Sequence, residues 1–153
     1  MNEVTLDTLE AVGGALANKC RLRVLALLRE ADLYVCQIKA VLGLAGSTVS
    51  VHLAVLRRGG LITERKQGRF VEYGLTDEEP LGSVAREILY LVKDDPQVIE
   101  DARLLEAVRR LPVDRVCRAG RGLAAAEIAG RACHRRRPAP AQKRRVAPAT
   151  GSR

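Results

Sequence analysis

Apolar side chains recur along this chain at two different periods, and the change-overs fall at glycine and proline. Leu6, Leu9, Val12, Leu16 and Ala17 fall on one face of a first helix. Gly13-Gly14 is expected to weaken that helix, because glycine gives up the most backbone freedom on ordering. Leu22, Leu25, Ala26 and Leu28 mark a second helix over about 19–29, broken at Glu30-Ala31-Asp32. A short third helix follows over 35–42, with Val35, Ile38, Val41 and Leu42 inward and Gly43 in the position a C-terminal cap favours. After a turn at 44–46, Ser47 offers an N-cap hydroxyl to a fourth helix that reaches Arg58 and buries Val49, Leu53 and Leu56. Gly59-Gly60 ends it. The period then shortens to that of strands over 61–66 and 69–75, with Gln67-Gly68 as the tight turn between them. Pro80 opens a fifth helix striped by Leu81, Val84, Ala85, Ile88, Leu89 and Val92, and a sixth is expected over 97–111 after Asp94-Asp95-Pro96. Beyond Pro112 the only helical patch is Leu123 to Ile128, and from Arg131 onward the Arg-, Pro- and Ala-rich composition predicts disorder.

Short helix, turn, second helix and basic hairpin, in that order, predict a winged helix-turn-helix: mainly α, with a small β-hairpin wing. The chain divides into a winged-helix unit over 1–95, a C-terminal helix over 96–116 and a basic tail over 117–153. In such a fold the fourth helix enters the DNA major groove. Ser47, Thr48, Ser50 and His52 are then expected on its outer face, where short polar side chains approach phosphates and base edges. Arg57 stands at the helix end, and Lys66 and Arg69 flank the wing tip. Residues 47–73 carry five basic and two acidic side chains. An excess of that size predicts that useful affinity for double-stranded operator DNA needs two copies.

Charge elsewhere does not extend this picture. The chain's formal charge is +8, but residues 115–153 hold 11 Lys/Arg against one acid, Glu127, so the rest is slightly acidic. The high isoelectric point belongs to the tail, and a metal- or RNA-binding module driven by that tail is the rival of a different class. At 3% aromatic content the core must be built from Leu, Val, Ile and Ala. The N-terminus has no basic-then-apolar leader, and no run approaches the roughly 20 apolar residues of a membrane span, so a cytoplasmic protein without membrane contact is expected. No nucleophile–base spacing, apolar carboxylate pair or phosphate-cradling glycine loop is present, and an enzyme is not expected.

The chain resembles the ArsR/SmtB family of dimeric metalloregulatory repressors. The likeness is carried by Leu16-Ala17-Asn18 with Arg21 to Leu25, by Val35-Cys36-Gln37-Ile38, and by Ser47 to Ser50 with His52-Leu53 and Val55-Leu56-Arg57. Gly60-Leu61-Ile62 and Gly68 to Tyr73 continue it, so that it spans roughly 5–93. The resemblance implies a homodimer through the first and fifth helices, and an inducer that lowers operator affinity.

Where arsenic-sensing members open the third helix with Cys-Val-Cys, this chain has Tyr34-Val35-Cys36. Cys36 alone cannot chelate As(III) or Sb(III), which take two or three thiolates. The expected inducer site therefore combines Cys36 with Cys20, Cys117 or Cys133, within or across the dimer; Cys36, Cys20 and Cys117 are the leading set. The alternatives are unreactive thiols and a redox sensor in which two of them form a disulfide. A zinc site on the fifth helix is not expected, since that helix has Asp77 near its start but no histidine.

Overall fold

The computed structural model describes residues 4–119. The helical patch expected at 123–128, Cys133 and the tail from Arg131 lie outside the described residues. Helix α1 spans Leu6–Leu16, and the Thr5 hydroxyl at its N-cap accepts from the Thr8 amide at 3.2 Å. Gly13 and Gly14 do not interrupt it; both face open space. Helix α2 spans Lys19–Glu30, capped by Asn18, whose Oδ1 accepts from the Arg21 amide at 3.1 Å.

A two-residue strand, β1 (Leu33–Tyr34), precedes α3 (Val35–Leu42) and was not expected from periodicity. Two residues carry no period to detect. It pairs antiparallel with the hairpin, Leu33 opposite Tyr73 and Tyr34 opposite Glu72. Helix α3 starts where the Gln37 side chain reaches back to accept from the Tyr34 amide at 3.0 Å. It stops at Gly43, whose φ of 67° is the left-handed conformation glycine adopts without steric cost.

Helix α4 (Gly46–Arg58) begins two residues earlier than expected. Ala45 is its N-cap, with no side-chain cap bond, and Ser47 lies inside the first turn. The axes of α3 and α4 bend by 113° across residues 43–45, within the roughly 90–120° range of helix-turn-helix pairs.

Strands β2 (Ile62–Gln67) and β3 (Phe70–Leu75) complete a sheet of order β1-β3-β2. The turn falls at Gly68-Arg69, one residue later than expected, with Gly68 at φ 59°. Arg65 stands opposite Glu72 and donates to it at 2.9 Å, a cross-strand pair that fixes the register.

Helix α5 (Leu81–Leu91) follows Pro80, and α6 (Pro96–Arg109) follows Asp95, whose carboxylate accepts from the Gln97 amide at 2.8 Å. Residues 113–119 form about two further helical turns. One core runs through the described residues. Leu25, Leu27, Ile38, Leu53, Leu56, Leu61 and Leu89 are fully buried, and Leu105, Val108 and Val116 of the C-terminal part join them. Each such side chain contributes about 1.5–3 kcal/mol on burial.

Helix α6 lies against α2 and α3, and a buried ion pair holds it there. Arg23 on α2 donates from Nε to Asp101 Oδ2 at 2.7 Å and from Nη2 to Oδ1 at 2.8 Å, and Gln97 adds a third donor at 2.9 Å. Arg29 ties the other end of α2 to α5, donating to the Leu89 carbonyl at 3.2 Å. Among the described residues no single helix is long and apolar enough to cross a membrane.

Candidate DNA-reading face and thiol pair

Helix α4 sorts its side chains sharply. Val49, Leu53 and Leu56 are buried, while Ser47, Thr48, Ser50, Val51, Ala54, Arg57 and Arg58 are exposed. Three of the four expected readers, Ser47, Thr48 and Ser50, stand on the outer face. His52 does not. It is half-buried, and its Nδ1 is enclosed with no hydrogen-bond partner among the described residues. Burial, and then the positive charge of Arg21, push its pKa below the ordinary imidazole value.

The outward position belongs to Val51, whose surface is 62% exposed. Helix geometry gives the reason. At about 100° per residue, Val51 sits two steps, roughly 200°, from buried Val49, while His52 lies only one step from buried Leu53. The spacing contained that signal, but polarity outweighed angle in the expectation.

The expected backbone-contacting cations are present, and two of them are engaged. Arg57 pairs with Glu64 on β2. Arg69, at the wing tip, pairs with Asp114 of the 113–119 segment and lies 4.9 Å over the Phe70 ring. Lys66 is exposed on β2 opposite Val71. The Phe70 ring in turn meets Tyr34 at 5.6 Å, so wing tip, β1 and the start of α3 form one contact patch.

The three described cysteines separate into a pair and a single. Cys36, in the first turn of α3, is bonded to Cys117 of the 113–119 segment: the S–S distance is 2.01 Å and the Cα atoms are 5.0 Å apart, across 81 residues of sequence. Cys20 stands outside this pair, half-buried and without a disulfide. The expected convergence of Cys36, Cys20 and Cys117 is therefore not formed within one chain. Among the described residues no group of three or more His, Cys, Asp or Glu side chains could hold a metal ion. The physical cause is the path of α2: Cys20 sits at its beginning, and the chain runs the whole helix, roughly 16 Å of rise, before it turns to Cys36.

Two contributions escaped the sequence reading. Asp101 is one of three acids on α6 and Asp114 lies in a short charged segment, and nothing in their spacing marks one as buried and the other as a partner of the wing.

A three-stranded sheet with a protruding hairpin, a helix pair bent by 113° and an exposed hydroxyl-bearing second helix define a winged helix-turn-helix DNA-binding regulator. Residues 18–64 match the family model described as bacterial regulatory protein, arsR family. The transcriptional regulator CmtR of Mycobacterium bovis and Mycobacterium tuberculosis is 38% identical over 109 residues, covering 69% of this chain and 92% of that protein. The chain thus belongs to the arsR family of bacterial regulatory proteins, a family of DNA-binding transcriptional regulators and not of enzymes.

The arsenical resistance operon repressor of Escherichia coli is 41% identical over 66 residues, covering 42% of this chain and 56% of that one. Among solved structures, the homodimeric winged helix-turn-helix DNA-binding domain of Mb0332 from Mycobacterium bovis aligns with a TM-score of 0.52 at 30% identity, over 58% of this chain and 82% of that one. Reduced HlyU from Vibrio cholerae aligns with a TM-score of 0.50 at 32% identity, over 56% and 88%.

Proposed function

We propose that the protein is a homodimeric transcriptional repressor whose grip on operator DNA is released when Cys36 and Cys117 become bridged. The bond between those two sulfurs is the observation that carries the reading. Cys36 lies on α3, the helix that packs directly on the reading helix α4, so a change at this pair acts one helix away from the DNA-reading face. Pairing of two copies is supported by apolar side chains left open on α1 and α5: Leu6 is 85% and Leu91 81% exposed, with Leu9 and Val84 beside them. It also answers the modest positive charge of the reading face, since two copies double the phosphate contacts.

On each copy, Ser47, Thr48 and Ser50 approach the duplex with Val51 between them. Val51 offers an apolar contact to a thymine methyl group. Lys66 and Arg69 of the wing and Arg57 take the backbone. His52 supports the reading helix from behind rather than touching DNA.

Oxidation is the inducer that the geometry favours. A thiolate attacks one peroxide oxygen to give a sulfenic acid, and the second thiol condenses with it. Two thiols lose two electrons and two protons, and hydrogen peroxide becomes two waters. A cytoplasmic disulfide of this kind is a transient signal rather than a structural brace.

As(III) or Sb(III) is the second reading. Two adjacent sulfurs are a minimal thiolate site for a soft ion, and the E. coli relative named above is an arsenical resistance repressor. Cys20 takes no part in either reading within one chain.

The test is fluorescence anisotropy of the purified protein on the DNA upstream of its own coding sequence. Peroxide is expected to lower affinity at least tenfold, with an intramolecular Cys36–Cys117 linkage by mass spectrometry and recovery on dithiol treatment. Cys36→Ser abolishes the response and Cys20→Ser keeps it. Arsenite added under reducing conditions decides the second reading. Affinity unmoved by both peroxide and arsenite overturns the assignment of the pair as sensor. Replacing operator thymines by deoxyuridine is expected to weaken wild-type binding and to leave Val51→Ala indifferent.

A further inference from the structure

We infer that Asp114 is a tethered stand-in for a DNA phosphate: its carboxylate occupies Arg69, the cation at the wing tip, whenever the Cys36–Cys117 bridge holds the 113–119 segment down. The inference rests on the thiol-pair reading above and names how that pair reaches the DNA-contacting surface.

Three observations converge. Arg69 and Asp114 form an ion pair across 45 residues of sequence. Asp114 and Cys117 are three residues apart in one helical segment, so they share a face, and the bond that fixes Cys117 fixes Asp114 as well. Arg69 is positioned rather than loose, because its guanidinium lies over Phe70, and Phe70 packs on Tyr34, two residues before Cys36. Wing cation, carboxylate and sulfur pair are thus joined in one short circuit around the start of α3.

The tether is what gives the contact force. Both partners keep more than half of their side-chain surface open, Arg69 at 65% and Asp114 at 55%, and an exposed pair between untethered groups contributes little. Held by a covalent bridge three residues away, the carboxylate faces Arg69 at an effective concentration on the order of millimolar or above. A phosphate must displace it rather than fill an open site. With the bridge open, the segment loses its covalent tie but keeps Val116 and its apolar neighbours against the core, and Arg69 returns to the DNA.

The experiment measures operator affinity and its salt dependence for full-length wild type and Asp114→Asn, each with the thiols reduced and bridged. Glu106→Gln, which removes an exposed acid on α6 that pairs with Arg110, controls for net charge. Bridged wild type is expected to bind at least tenfold more weakly than reduced, and bridged Asp114→Asn within about threefold of its reduced form. The slope of log affinity against log salt is expected to steepen by about 0.9 per recovered phosphate contact, so by nearly two for a dimer, on going from bridged wild type to bridged Asp114→Asn. Glu106→Gln leaves that slope unchanged.

If bridged Asp114→Asn still loses DNA as wild type does, the clamp is overturned while the thiol switch stands. If bridging does not weaken wild type, the thiol reading falls. The clamp is then decided by the reduced proteins: a contact present in both thiol states requires Asp114→Asn to bind tighter and with a steeper slope in both, and equality overturns it. Tighter binding on bridging, as Arg115 and Arg118 would give if the segment lay along the duplex, also overturns it.

Discussion

Replacing Asp101 with alanine tests whether α6 is fixed to the winged helix by charge. Asp101 is 1% exposed, and it accepts two hydrogen bonds from Arg23 and one from Gln97. Removing one member of a buried ion pair costs about 3–5 kcal/mol, because the other charge is left in a poor solvent. Arg23 retains 19% of its side-chain surface, so its guanidinium rehydrates in part, and the figure is reduced to about 2–3 kcal/mol. The hydrogen bond and Coulomb attraction of Asp101 are what raise the Arg23 pKa against the opposing effect of burial, so the pair is net favourable to the ionised state. For a domain of this size such a loss lowers the melting temperature by about 10 °C, read by circular dichroism alongside urea unfolding. Asp101→Asn keeps an acceptor and is expected to cost about half as much. The double variant Arg23→Met with Asp101→Leu is expected to recover most of the loss, since an apolar pair of similar volume often serves as well. A change below about 0.5 kcal/mol for Asp101→Ala, the size of an ordinary surface substitution, would refute the argument that this pair anchors α6.

Two further outcomes follow from local geometry. Gly43 has φ 67° with nothing within 4 Å of a built Cβ, so Gly43→Ala is expected to cost about 1–2 kcal/mol from backbone conformation alone. Gly43→Asn, which tolerates that region, is expected to cost less than alanine, and equal urea midpoints for wild type and Gly43→Ala would remove the argument. His52 holds its proton less readily folded than unfolded, so the unfolded chain binds more protons as the pH falls below the ordinary imidazole range. Its contribution is therefore complete above that range and lost as the pH falls through the depressed folded value. His52→Gln is expected to flatten this part of the stability–pH curve, and an unchanged slope would show that the enclosed Nδ1 carries no such penalty.

Most of the helical architecture could be read from residue spacing, because each helix buries one stripe and several have a boundary that the sequence marks. Gly43, Pro80 and Asp95-Pro96 are such marks. The strand Leu33–Tyr34 was beyond that method, since two residues have no period and are held by pairing to β3. Which side chains of α4 face outward was legible except at one position. His52 and Val51 exchange places relative to their polarity, and only the angle around α4 reveals it. The thiol site was least legible. Cys36 was marked by its place in α3, but the choice of Cys117 over Cys20 depends on how α6 folds back over α2 and α3. That return is set by the Arg23–Asp101 pair and by Leu105, Val108 and Val116 entering the core, none of which a one-dimensional pattern encodes.

The placement of Cys117 and Asp114 on a C-terminal appendage has a genetic consequence. The reading helix, the wing and the α1 and α5 faces all lie before residue 95, whereas the appendage supplies the second sulfur and the carboxylate. On the proposed function, a nonsense lesion between the end of α6 and Asp114 would remove both groups while sparing the helices and wing assigned to DNA, at the cost of the Val116 contact with the core. On that same function, such alleles would bind the operator but no longer answer the inducer.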